Sequence, residues 1–250
     1  MAIGINVDKY NNKEEFMLDD RTIHTGESGA IAQAEGFFPK VYNWMTVGLG
    51  LSAVVAMLTV SSQSMMQLVF GNRMVFFGLI IAELVLVVTL SAAIRRLSAA
   101  AATVCFLVYA TLSGVTLAAI FVAYTQSSIA SAFFVTAGTF GAMSIYGHVT
   151  RRDLTSWGSF LFMGLIGLII ASVVNLFLHN EMIYWVTTYA GILIFVGLTA
   201  YDTQKLKVLA MGGFASSEDR HKLAILGALN LYLDFVNLFL LLLRVLGRRR

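Results

Sequence analysis

Four ionisable side chains lie within stretches that are otherwise almost wholly apolar: Glu83, Asp202, Asp234 and Arg244. In hydrocarbon each costs about 2.5–3.5 kcal/mol on insertion scales, so each needs a partner or a task. Asp234 is the sharpest case. At helical spacing Gly227, Asn230, Asp234, Asn237 and Leu241 share one face of a leucine-rich run, and such a stripe belongs inside a helix bundle. Asn230 and Asn237 suit an interhelical hydrogen-bonding stripe that only packs, but an acid is a costly choice where asparagine would serve. Glu83, among Ile80, Ile81, Leu84 and Leu86, is either kept neutral by desolvation or ionised against a cation from another helix. Asp202 closes an apolar run in GLTAYDTQKLK; position alone makes it a solvated helix turn beside Lys205.

Enzyme chemistry finds no support. The chain has no HExxH, GxSxG, GxxxxGK[ST] or GxGxxG motif, and its four histidines (His24, His148, His179, His221) are scattered over tail and connections. No nucleophile or metal set faces another span, as an intramembrane protease requires. Cys105 is the only cysteine, which excludes an intrachain disulfide and a cysteine-based metal site. No cofactor is expected.

The elements that carry these residues follow from composition. Of 250 residues 58% are hydrophobic and 12% charged, whereas soluble domains carry about 25% charge. Seven apolar stretches, approximately 41–60, 74–94, 98–124, 128–148, 157–178, 182–202 and 223–246, each approach the roughly 20 residues that span a bilayer. They are too long and too uniform for barrel strands, so the fold class is all-α, a polytopic membrane bundle of seven transmembrane helices. Residues 1–40 read as a flexible polar tail without a cleavable signal, ending near Pro39, the sole proline. Residues 41–250 form the transmembrane domain.

Lys9, Lys13, Arg21 and Lys40 of the tail, Arg95 and Arg96, Arg151 and Arg152, and Lys205, Lys207, Arg220 and Lys222 fall in the tail and the even-numbered connections. The odd-numbered ones hold only Arg73. This positive-inside pattern places the N-terminus in the cytoplasm and gives the net charge of +3 a topological meaning, with no nucleic-acid partner. The ending GRRR after Arg244 opposes the pattern: the seventh segment either crosses despite it or returns as a re-entrant hairpin. Glycine pairs (Gly48 and Gly50, Gly138 and Gly141, Gly164 and Gly167, Gly191 and Gly197) suggest close helix packing.

The stretches GLTAYDTQKLK (197–207) and ALNLYLDFVNLFLLLLRVLG (228–247) closely resemble the signature end of the Bax inhibitor family of membrane proteins. MSIYGHVTRRDLTSWGSFLFMGLIGLIIASVVN (143–175) and IIAELVLVVTLS (80–91) are similar to the same family. The resemblance covers nearly everything after the tail. It implies a seven-helix fold around a central last helix, and it implies that Asp202 and Asp234 are paired aspartates that share a proton. It further implies a bacterial inner-membrane, pH-sensitive Ca2+ leak channel in which Arg95 or Arg96 latches the pair and the two carboxylates can meet Ca2+. Straight helices would leave Asp202 about 27 Å from the outer face and Asp234 about 18 Å from the inner one, roughly 15 Å apart in depth, so the pairing rests on the resemblance. Its physics is concrete: two carboxylates in contact out of water titrate in two macroscopic steps, and their oxygens suit a hard cation. Lipid, H+ and Ca2+ are the expected partners. The alternative is a regulatory protein that binds a membrane protease or stress machinery.

Overall fold

The computed structural model describes residues 36–250; the first 35 residues of the expected tail lie outside it. Seven of its helices are long and apolar enough to cross a membrane: α1 (Gly36–Ser61), α3 (Arg73–Ala93), α4 (Ala99–Ala123), α5 (Gln126–Val149), α6 (Thr155–Leu178), α7 (Glu181–Met211) and α8 (Ser217–Leu246). An eighth, α2 (Gln63–Phe70), is one the hydropathy reading passed over, because eight residues cannot span hydrocarbon.

Helix starts are set by capping. The side chains of Ser98, Thr125, Asn180 and Ser216 accept the backbone N–H groups of Ala101, Ser128, Ile183 and Asp219, satisfying donors that have no partner within the first turn. Between α5 and α6 the Asp153 carboxylate accepts the Thr155 N–H at 2.9 Å; the Thr155 hydroxyl first, and this backbone bond second, hold the Asp153 carboxyl below the usual carboxylate range. The group therefore keeps its charge at neutral pH and loses its contribution only as pH falls through that lowered value.

Three boundaries differ from the sequence expectation. The first span is already helical at Gly36, so Pro39 lies within the first described turn. α7 continues nine residues past Asp202, because Thr203, Leu206 and Ala210 bury themselves in the core while Lys205 and Val208 face out. Asp202 is thus two and a half turns inside a helix and does not end one. α8 starts at Ser217, not near 223, with Glu218 and Asp219 in its first turn, where negative charge suits the helix dipole.

α8 is the axis of the bundle. It packs against α3, α4, α5 and α7, and its Ala224, Leu231 and Tyr232 share one core with Phe37 and Val41 of α1. α6 packs on α7 without packing on α8 or α3. The outward residues of α3 and α6, among them Ile81, Leu84, Phe160 and Met163, are large, apolar and exposed, as a lipid-facing surface requires. Phe37 meets Phe214 of the α7–α8 connection, ring centroids 4.9 Å apart. At the other end Thr125 donates its N–H to the Arg248 carbonyl and Arg250 donates to Ala123. The last helix therefore runs the full length of the bundle, and Arg248–Arg250 close against the α4–α5 turn.

A buried hydroxyl network ties α8 to its neighbours. The Tyr232 hydroxyl donates to Ser113 Oγ at 2.9 Å and lies 2.7 Å from Ser52 Oγ; Ser52 Oγ also stands 2.7 Å from the Ala110 carbonyl. Phenylalanine at 232 removes the hydroxyl that links Ser52 to Ser113, a loss of about 0.5–1.5 kcal/mol. The expected outcome is a lower thermal unfolding midpoint in detergent; an unchanged midpoint would show that the network contributes nothing.

Candidate functional site

The polar stripe of α8 faces a cavity of about 880 Å³ walled by α3, α4, α6 and α7. Asn230, Asp234, Asn237 and Leu241 all line it, and so do Glu83 from α3 and Asp202 from α7. Because α3 and α6 do not pack on each other, the cavity lies between them with α8 as its back wall. Three intramembrane carboxylates thus look into one space, which is the arrangement that gives each a reason to be there.

Their environments differ. Asp234 is only 4% exposed, and its Oδ2 is buried without a hydrogen-bond partner. A buried polar atom left unpaired is rare and calls for a water, an ion or a proton. Asp202 is half-buried. Glu83 accepts a 2.9 Å hydrogen bond from Thr116 Oγ1, a partner one helix away that the sequence gave no reason to choose. Valine at 116 removes that donor while keeping the shape; the expected result is a shift in any pH-dependent signal from Glu83, read as a change in carboxyl infrared absorption, and an unaltered spectrum would count against the bond.

The two aspartates share the cavity, and among the described residues no hydrogen bond joins them. The 31 residues of sequence between them cover the end of α7, a turn and the start of α8, and the cavity brings the two side chains to one wall.

Neither expected latch arginine reaches the pair. Arg95 and Arg96 occupy the turn between α3 and α4, both exposed and both absent from the cavity wall. Lys205, one turn further along α7, is part of the same lining as Asp202. In the sequence Lys205 read as a solvated neighbour, because the helix then seemed to end at Asp202. Arg244 closes the far end of the cavity, donating to Thr188 Oγ1 at 3.2 Å with its guanidinium 4.7 Å above the Tyr184 ring.

The described histidines, His148, His179 and His221, stay outside this cavity. His148 is exposed with its ring edge-on to Phe38, and His221 pairs with Thr103 at 3.0 Å. Among the described residues no three His, Cys, Asp or Glu side chains converge as metal ligands. A cation in the cavity would meet carboxylates supplemented by amide oxygens.

Seven helices able to cross a membrane, five of which wall an acid-lined cavity, define a polytopic membrane protein whose polar chemistry lies within the bundle. The family described as "Inhibitor of apoptosis-promoting Bax1" matches residues 34–250, and the chain belongs to it. It is 54% identical to the inner membrane protein YbhL of Escherichia coli K12 over 222 residues, 88% of this chain and 94% of that protein. A protein of Borreliella burgdorferi is 44% identical, covering 90% of this chain and 97% of its own length. The membrane protein SpyM3_0260 of Streptococcus pyogenes is 39% identical, with 92% and 99% covered. A multi-pass location in the inner membrane follows from the seven apolar helices together with the YbhL likeness.

Proposed function

We propose that the protein is a pH-sensitive cation leak of the inner membrane with Ca2+ as its ion, gated by protonation of Asp202 and Asp234. The observation that carries the reading is the unpartnered Asp234 Oδ2 on a cavity that Asp202 and Glu83 also line. A carboxylate pair that shares protons changes charge in steps, and a helix whose packing differs between those charge states shifts population with pH. α8 is that helix, since it carries Asp234 and touches most of the bundle.

Lys205 serves as the cation that answers Asp202 in the closed state, the part the family resemblance assigned to Arg95 or Arg96. Hard oxygen ligands from Asp202, Asp234, Asn230 and Asn237 suit a Ca2+ ion in transit. The reading assigns the chain no covalent chemistry and no resident cofactor, and it orients the N-terminus to the cytoplasm by the arginines and lysines of the even connections.

The test is Ca2+ efflux from proteoliposomes across a range of pH. Efflux that changes with pH, and is absent from protein-free liposomes, supports the reading. Protein that moves no ions while deletion of residues 1–40 releases a co-purifying membrane protein would favour a regulatory interaction protein instead.

A further inference from the structure

A second cavity, about 740 Å³, opens at the end of the bundle opposite α1's first turn, where α6 gives way to α7 and α8 ends. Its wall carries Arg244, Arg249, His179, Tyr184, Trp185 and one carboxylate, Glu181. We propose that this cavity binds the phosphodiester headgroup of an anionic phospholipid.

Charge is the first support. Arg244 lies within a membrane-crossing helix, and among the described residues no carboxylate forms an ion pair with it or with Arg249. An arginine at membrane depth without a counter-ion is expensive, and a single Glu181 leaves the wall net positive. The two guanidiniums are also pre-set. Arg244 is held by Thr188 and the Tyr184 ring, and Arg249 donates to the Tyr184 hydroxyl at 3.2 Å. Its backbone is fixed by the bridge to Tyr124. Two positioned guanidiniums match the oxygens of a phosphate better than a single mobile ammonium does.

Depth supplies the second support and selects the source. Trp185 and Tyr189 stack with centroids 5.9 Å apart, both exposed on the first turns of α7, beside exposed Phe177, Leu178 and Met182. Aromatic side chains at a helix end mark the headgroup layer, with the apolar ones facing acyl chains. Basic pockets between transmembrane helices bind anionic headgroups at the cytoplasmic face, and guanidiniums at headgroup depth offer the same charge pairing at this end. A free phosphate would satisfy the arginines equally well but would leave this apolar surround unused. The cavity shares Ser172, Thr187 and Arg244 with the aspartate-lined one, so the headgroup would sit in series with that site.

The experiment is thermal unfolding of the full chain in detergent with added dioleoyl phosphatidylglycerol, dioleoyl phosphatidylcholine or inorganic phosphate. A ligand of the folded state raises the midpoint. The expected result is a rise of about 3 °C or more with phosphatidylglycerol and under about 1 °C with phosphatidylcholine. Arg249→Gln, a change at an exposed side chain, should at least halve the phosphatidylglycerol shift measured from that variant's own lipid-free midpoint, while Arg151→Gln at the opposite end should keep it whole. Equal shifts for the two lipids, or a full shift retained in Arg249→Gln, would overturn the proposal. So would a shift reproduced by inorganic phosphate alone, which would assign the site to free phosphate.

Discussion

Asparagine at position 234 is expected to make Ca2+ efflux from proteoliposomes indifferent to pH, at the level the unsubstituted protein reaches at its acid limit. The substitution keeps the volume and a hydrogen-bonding carbonyl but fixes the site in a neutral state, so it mimics permanent protonation. A tenfold span of efflux between acid and alkaline limits corresponds to about 1.4 kcal/mol of differential proton binding between closed and open populations. In Asp234→Asn that span should shrink to within about 1.5-fold, because the population shift cannot exceed the differential affinity that drives it. Asp202→Asn should flatten the profile less, since Asp202 is half-buried and shares its lining with Lys205. An Asp234→Asn profile that parallels the unsubstituted one would remove the carboxylate from the gate.

Leucine at position 147 is expected to prevent the bundle from assembling. A Cβ at Gly147 would overlap the Ala200 carbonyl, and this is backbone against backbone, so no rotamer change relieves it. Overpacking of a core by side chains costs about 1–3 kcal/mol; a forced separation of α5 and α7 should cost at least the upper end of that range. Ala200 precedes Asp202 by two residues, so even alanine at 147 should disturb the acid cavity as well as the fold. Gly138→Ala is the matching control, because nothing lies within 4 Å of a Cβ there, and exposed substitutions of this kind stay within about 0.5 kcal/mol. Size-exclusion profiles and thermal midpoints distinguish the two. Gly147→Leu as stable as Gly138→Ala would show that α5 and α7 do not pack as described.

Glycine illustrates what the sequence reveals and what it withholds. Gly48, Gly164, Gly191 and Gly197 do stand against neighbouring side chains, but Gly50, Gly138, Gly141 and Gly167 face open space. Composition shows that small residues abound, whereas which face they occupy depends on helix rotation. Gly114, whose Cβ would come within 2.7 Å of the Ser52 carbonyl, stood in no glycine pair and drew no notice.

The acids divide in the same manner. Asp234 was legible because asparagines three and four residues away repeat along one helical face, and that face does line the cavity. Asp202 was not, since the apolar run stops at Tyr201 while the helix continues on an amphipathic face that buries Leu206 and Ala210. The family resemblance singled it out where periodicity could not. Lys205 and Thr116 act across one helical turn and one helix-helix contact, and neither relation leaves a trace in local spacing. The direction of the last helix was undecided by charge, because Arg248–Arg250 oppose the positive-inside pattern; their backbone pairing with the α4–α5 turn decides it.

The most direct test of the gate is infrared titration of the carboxyl stretch in reconstituted protein, run alongside Ca2+ efflux at the same pH values. The account predicts a protonated-carboxyl band that Asp234→Asn abolishes and whose midpoint coincides with the midpoint of the efflux curve. A band untouched by that substitution, or efflux that changes with pH while the band stays constant, would contradict it.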